Sequence, residues 1–195
     1  MKKGASAPGE LKARENKIML ERIYKWFRRI DDPDYCWQLR EALIAPSRSV
    51  FGRIRRFYKL YLYKKAQRQA GATIPLGTEF GGKPDFPHGF YGIFISYGAK
   101  LGSGCTIFQH VTIGSNTLKG TKNPGAPVIG DIVYIGAGAK IIGGIRIGNN
   151  VRIGANCVVT TDIPDNCTVV LPAPRVIQRE GPMDNTFKNW GVYND

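Results

Sequence analysis

The sequence predicts a mainly β protein, a parallel β-solenoid wound in six-residue steps, preceded by a small basic α-helical region. Three observations predict it. Aliphatic residues recur at every sixth position over long stretches of the second part of the chain. Glycine supplies 24 of the 195 residues, well above the usual share of roughly 7%. Charge and glycine are also segregated. Residues 1–70 carry 18 Lys+Arg against 7 Asp+Glu, net +11, whereas residues 71–195 carry 10 against 8, net +2. Nineteen of the 24 glycines lie between Gly71 and Gly154.

Composition narrows the class further. A hydrophobic content of 43% excludes a disordered chain. The glycines lack Gly-X-Y spacing, which excludes collagen. No apolar run approaches the roughly 18–20 residues of a membrane span. Lys2 and Lys3 have no apolar stretch behind them, so the start does not read as a secretory signal. The four cysteines, Cys36, Cys105, Cys157 and Cys167, lack zinc-ligand or CxxC spacing, and a reduced cytoplasmic protein is expected.

The first third reads as three helices. Met19, Ile23, Trp26 or Phe27, and Ile30 share a stripe at helical spacing over residues 11–30. Asp32 followed by Pro33 is an N-cap and first-turn pair for a second helix through Trp37, Leu39 and Leu43, which Pro46 stops. A third helix is expected from Ser49 to Ala70, with Gly71 closing it. This last segment interleaves aromatics with seven basic residues. One reading is a helix that packs one face on the next domain and lays its Lys and Arg stems on the surface. A second is attraction of residues 49–70 to an anionic membrane surface or a polyanionic substrate, which would put the protein on the inner face of the membrane. Nucleic-acid binding is not expected, because no recognised motif accompanies the charge.

The remainder repeats. Ile95, Leu101, Ile107 and Ile113 are six apart, and so are Ile129, Ile135, Ile141, Ile147, Ile153 and Val159. Two residues before nine of these ten sits a second small or aliphatic residue, from Ile93, Ala99, Cys105 and Val111 to Val151 and Cys157. Six residues supply one short flat strand and one turn, so three steps close a triangular coil of about 18 residues. Successive coils then hydrogen-bond at about 4.8 Å, with the aliphatics stacked in one central column. Glycine follows six of the ten aliphatics, at 102, 114, 130, 136, 148 and 154, where it is expected to turn the corner in conformations costly for a residue with a Cβ. Cys105 and Cys157 read as small interior residues.

The period breaks twice. Phe86 to Ile95 is nine, three residues too many, and Ile113 to Ile129 is sixteen, ten too many. The second excess makes residues 115–127 a protruding loop, and insertions in solenoids usually build the binding face. The two histidines of the chain lie at these breaks. His88 falls inside the first and His110 lies just before the loop. Imidazole, with an unperturbed pKa of about 6.5, suits a general base at neutral pH. His110 faces outward on this reading, either as a surface or interface residue or as a contact for substrate.

The run from Val128 to Pro164 (Val-Ile-Gly-Asp-Ile-Val-Tyr-Ile-Gly-Ala-Gly-Ala and onward) resembles the hexapeptide-repeat acyltransferases, and among them the serine acetyltransferase branch. The resemblance covers roughly residues 72–177. It implies a left-handed parallel β-helix, an exception to the right-handed crossover rule, and trimers, sometimes paired as dimers of trimers. It also implies acetyl-CoA as co-substrate, bound between subunits, with no metal. Three units are expected: a basic helical region over 1–71, the β-helix over 72–177 and a tail over 178–195. The implied activity is O-acetyl transfer to the hydroxyl of L-serine or of a sugar in surface polysaccharide synthesis, with His88 at the position of the family's general base.

This sequence departs from the serine enzymes in places. The acidic residue before the base is Pro87 here, the carboxylate that orients the base matches Thr73, and a second active-site histidine in the loop matches Ala126. Glu79 or Asp85 would have to orient His88 instead. Resemblance places Ala137 and Ala155 along the pantetheine arm, Thr160 and Thr161 near the nucleotide, and Arg175 toward its phosphates. Two rivals share the fold. A γ-type carbonic anhydrase needs three zinc-binding histidines against the two present. A non-catalytic trimeric scaffold would need neither His88 nor the loop.

Overall fold

A computed structural model of the chain describes residues 32–46 and 49–186. The helix expected over 11–30 lies outside the described residues, as does the end of the tail. Helix α1 (Pro33–Ile44) starts on the expected cap: the Asp32 carboxylate accepts from the Asp34 N–H at 2.9 Å, and Pro33 occupies the first turn. Helix α2 (Val50–Gln69) starts with the Ser49 hydroxyl accepting from the Gly52 N–H at 3.0 Å. It ends at Ala70, and Gly71 follows in the left-handed region at φ 57°.

These helices share one hydrophobic core with the coil that follows. Three polar contacts clip them to its first turn. The Tyr63 hydroxyl donates to the Ile74 carbonyl at 2.6 Å, and the Gln67 side-chain oxygen accepts from the Ile74 N–H at 2.7 Å. The buried Arg40 guanidinium lies against the edge-to-face pair of Trp37 and Phe80, 5.0 and 4.7 Å from their ring centroids. It donates to the carbonyls of Leu76 and Thr78. Burial thus gives the cation two ring contacts and two carbonyl partners in place of water, while its Nε stays without a partner. Burial pushes the neighbouring Cys36 thiol up to about 12, which keeps it protonated.

The rest of the described chain is a left-handed parallel β-helix with three flat faces. The first face stacks β1 (Glu79–Phe80), β4 (Lys100–Leu101), β7 (Val128–Ile129) and β10 (Arg146–Ile147). The second stacks β5 (Thr106–Ile107), β8 (Tyr134–Ile135), β11 (Arg152–Ile153) and β13 (Thr168–Val169). The third stacks β3 (Phe94–Ile95), β6 (Thr112–Gly114), β9 (Lys140–Ile142) and β12 (Val158–Val159). All pairings are parallel and in register. Leu101 lies on Ile129 and Ile147, Ile107 on Ile135 and Ile153, and Ile113 on Ile141 and Val159. The six-residue aliphatics therefore form three columns, one inside each face, rather than the single column expected. The residues two positions earlier, including Cys105 and Cys157, are buried with them.

The glycines after the aliphatics have a different reason from the expected one. None of the six at 102, 114, 130, 136, 148 and 154 has a positive φ. What they lack is room. A Cβ on Gly136 would lie 2.7 Å from the Ala155 nitrogen and 2.9 Å from the Ile153 oxygen, both backbone atoms of the next coil. Left-handed residues sit further round each corner instead. One set is Gly92, His110, Gly138 and Asn156, with φ from 59° to 72°; another is Gly104, Ile132, Asn150 and Asn166. Each set holds one residue per coil.

Because the crowding at Gly136 comes from backbone, it cannot be relieved by a side-chain rotation. Gly136→Ala should cost about 1–3 kcal/mol of stability, read as a lower midpoint in thermal or denaturant unfolding. A midpoint equal to wild type would refute the close coil-to-coil packing.

Candidate functional site

The three surplus residues of the first break sit at the corner between the second and third faces. The chain there runs as the short strand β2 (Pro87–Phe90), leaving the regular stack and carrying His88 with its ring exposed. Backbone pairing shows the size of the shift. Asp85 pairs with Thr106 and Thr73 with Phe94, 21 residues apart, whereas the undisturbed β3–β6 pair is 18 apart. Pushed out of the stack, His88 lies beside the next coil.

Two contacts hold its ring. Nδ1 lies 2.9 Å from the side-chain oxygen Oε1 of Gln109, and the Phe108 ring meets it edge-on with centroids 5.3 Å apart. Phe108 is braced in turn by Tyr134 at 5.0 Å. With the amide oxygen of Gln109 facing the ring, this hydrogen bond is made by the Nδ1–H tautomer, which leaves the lone pair of the neutral ring on Nε2.

Below Gln109 the corner continues as a column of small residues. The Gly138 N–H bonds the Gln109 carbonyl and the Asn156 N–H bonds the Ala137 carbonyl, each at 2.9 Å. Gln109, Ala137 and Ala155 thus occupy equivalent places on three successive coils, at roughly 4.8 Å per step. The structure therefore brings Ala137 and Ala155 to the corner that holds His88. His110 is in the adjacent left-handed column, exposed, with its ring folded over Gly92 and its carbonyl accepting from the Lys140 ammonium at 2.8 Å.

The carboxylates expected to orient His88 are engaged elsewhere or sit apart from the ring. Glu79 lies on the first face, paired with Lys100 at 3.0 Å. Asp85 lines an open cleft of about 580 Å³ beside β2, together with Asp32, Asp34, Lys83, Pro87 and Thr106. Lys83 pairs across this cleft with Asp34 at the start of α1. Neither Glu79 nor Asp85 is the hydrogen-bond partner of the ring, and that place is taken by Gln109. Thr73 is on the third face, in the Thr73–Phe94 bridge.

The long loop, residues 115–127, leaves from a different corner, between the third and first faces. It is a folded knob. Asn116 and Gly125 exchange backbone bonds, the Asn116 amide donates to Thr121 Oγ1 and the Lys122 carbonyl, and the Asn123 amide donates to the Thr160 carbonyl at 3.1 Å. Thr160 and Thr161 thus lie at the loop's corner and not on the Ala137–Ala155 column. Arg175 is exposed on the extended segment after β13.

Comparison with known proteins places this chain as follows. A family model of the bacterial transferase hexapeptide, six repeats, matches residues 126–161. The chain is 35% identical to a serine acetyltransferase of Helicobacter pylori over 148 residues, 74% of this chain and 79% of that protein. It is 41% identical to one of Synechococcus elongatus over 120 residues, 60% of this chain and 48% of that protein, and 33% identical to one of Mycobacterium tuberculosis over 156 residues, 80% and 61%. The chain thus spans about half to three fifths of the length of these last two. Among solved structures it resembles Entamoeba histolytica serine acetyltransferase isoform 3 in complex with cysteine, with a TM-score of 0.55 at 32% identity over 74% of this chain and 61% of that one. It also resembles Neisseria gonorrhoeae serine acetyltransferase in complex with serine, with a TM-score of 0.56 at 30% identity over 73% and 56%.

The hydrogen bond to Gln109 has a spectroscopic consequence. Nitrogen-15 NMR of the neutral His88 ring should report the Nδ1–H form, and Gln109→Leu should move it toward the Nε2–H form. An Nε2–H ring in the unmodified protein would overturn the assignment.

Proposed function

The chain belongs to the serine acetyltransferase branch of the hexapeptide-repeat acyltransferases, and from that premise we propose that it transfers acetyl from acetyl-CoA to an acceptor hydroxyl with His88 as general base. The observation that carries this reading is the His88–Gln109 pair at an exposed corner, in which Nδ1–H donating to the amide oxygen leaves Nε2 free to take a proton. The acceptor O–H gives its proton to Nε2 as its oxygen bonds to the thioester carbonyl carbon. The tetrahedral intermediate then expels the CoA sulfur, which takes the proton from the imidazolium and leaves as the thiol. Gln109 positions the ring throughout. The column of Ala137 and Ala155 gives the pantetheine arm a shelf without large side chains.

The site is shared between copies of the chain in a trimer. His88 and the loop of residues 115–127 occupy two different corners of one prism, so a single subunit does not close the loop over its own base. Side by side, one subunit's His88 corner meets the neighbour's loop corner. Thr160 and Thr161, at the loop's corner, would then reach the nucleotide end of CoA held on the neighbour's Ala137–Ala155 column, with Arg175 supplying charge to its phosphates.

L-serine is the acceptor named for the relatives and is the first candidate here. A sugar hydroxyl is the second, favoured by Thr73, Pro87 and Ala126, which carry no ionisable group where the serine enzymes do. CoA release from acetyl-CoA with L-serine, measured against a panel of nucleotide sugars and polysaccharide units, separates the two: turnover on serine alone discards the sugar.

His88→Ala should lower kcat/KM by about 10²–10⁴-fold at an unchanged unfolding midpoint, and a folded variant with the full rate would sink the mechanism. Gln109→Glu puts a carboxylate on Nδ1, which favours the imidazolium. The acid limb of its kcat/KM profile should therefore move to higher pH. A profile that does not move would remove Gln109 from its positioning role.

A further inference from the structure

Helix α2 carries apolar residues on the side where a surface helix normally carries polar ones. Its packed side is formed by Leu62, Tyr63, Ala66 and Gln67, all buried. At 100° per residue, Val50, Ile54, Phe57 and Tyr61 fall within about 60° of one another, on the side opposite those four. They follow the spacing i, i+4, i+7, i+11 of a docking face, yet they are 62%, 65%, 76% and 58% exposed. Phe51 and Tyr58 extend the patch and are exposed as well. Basic residues border it: Arg53 and Lys64 on one side, Lys65 on the other and Arg68 at its end. Over residues 49–70 there are seven Lys or Arg and no Asp or Glu.

We infer that this face of α2 docks the protein on an anionic lipid surface. The inference rests on α2 alone and does not depend on the acetyl-transfer reading. Charge selects the occupant. A second copy of the helix would bring seven positive charges against seven. Residues 1–31 carry nine Lys or Arg against four Asp or Glu, so they too would meet the patch with like charge. An anionic bilayer complements both parts of the face. Ile54, Phe57 and Tyr61 enter the boundary between headgroups and acyl chains, and the Lys and Arg stems reach along it to the phosphates. The helix lies on the surface and does not span it. Among the described residues no helix is long and apolar enough to cross a membrane.

The test is co-sedimentation of the full chain with vesicles, with sedimentation velocity run in parallel. Phosphatidylcholine vesicles containing about 30% phosphatidylglycerol should bind the protein at low salt, pure phosphatidylcholine should bind it more than tenfold more weakly, and about 0.5 M salt should release it. Replacing Lys64, Lys65 and Arg68 singly by Gln should weaken binding about fivefold each. The triple variant Ile54→Ser, Phe57→Ser, Tyr61→Ser changes only exposed side chains, so it should keep its unfolding midpoint and lose vesicle binding. Three results would overturn the proposal: no binding to anionic vesicles at low salt, equal binding to neutral ones, or a triple variant that still binds. A triple variant that changes subunit number while vesicle binding stays at wild-type level would assign the face to a second copy of the chain instead.

Discussion

Everything in this molecule depends on how closely one coil lies on the next. Parallel strands hydrogen-bonded at about 4.8 Å leave no slack at the corners, and the backbone of each coil there runs against the backbone of its neighbour. At Gly102, Gly130, Gly136 and Gly148 the space a Cβ would occupy is already filled by atoms of the following coil. Glycine is required there by contact, not by dihedral angle. With the corners closed up, the faces stay flat and in register, and three columns of buried aliphatics fill the interior. The same tightness explains the clip between the helices and the first coil. Among the described residues no coil precedes the top of the stack, and Tyr63, Gln67 and Arg40 make hydrogen bonds to its backbone there.

A stack this regular has little room for chemistry, because each position repeats the environment of the one below it. Side chains are displaced from the register where the repeat is broken. The three-residue surplus pushes His88 outward, and the ten-residue surplus builds the loop. The two breaks fall at different corners of the prism, which is why a site using both calls for more than one chain. His110 shows the opposite case. It stays in register, in a left-handed column otherwise held by Gly92, Gly138 and Asn156, and histidine is among the few residues with a Cβ that tolerate that conformation.

The parts of the fold legible in the sequence are those set by local rules. The six-residue period gave the strands, the breaks gave the loop and the corner of His88, and Asp32-Pro33, Ser49 and Gly71 gave the helix ends. Features that depend on stacking were harder to read. The glycines were visible, but their reason was not, since a clash with the next coil lies 15 to 29 residues away in sequence. Gln109 was missed for a related cause. With Glu79 and Asp85 near His88 in the chain, carboxylates were the natural candidates to orient an imidazole. The three extra residues slide His88 against the following coil instead, and its partner comes from the Phe108-Gln-His stretch. A signal was present: 21-residue spacing around the first break brings the segment of His88 beside residues 106–109.

An amide in this place does part of what a carboxylate would do. Both can accept from Nδ1–H, and so both can fix the tautomer that leaves Nε2 free. Only the carboxylate would also stabilise an imidazolium. The amide has a further property that a carboxylate lacks: its two ends are different. With Oε1 toward the ring, Nδ1 carries the hydrogen and Nε2 is left free. Turned over, its NH₂ would face Nδ1, favour the hydrogen on Nε2 and move the lone pair to Nδ1. The tautomer of His88 therefore follows the orientation of one side chain on the next coil, while Phe108, itself against Tyr134, holds the ring from its edge. Coil spacing, which sets the fold, in this way also sets which partner the His88 ring meets.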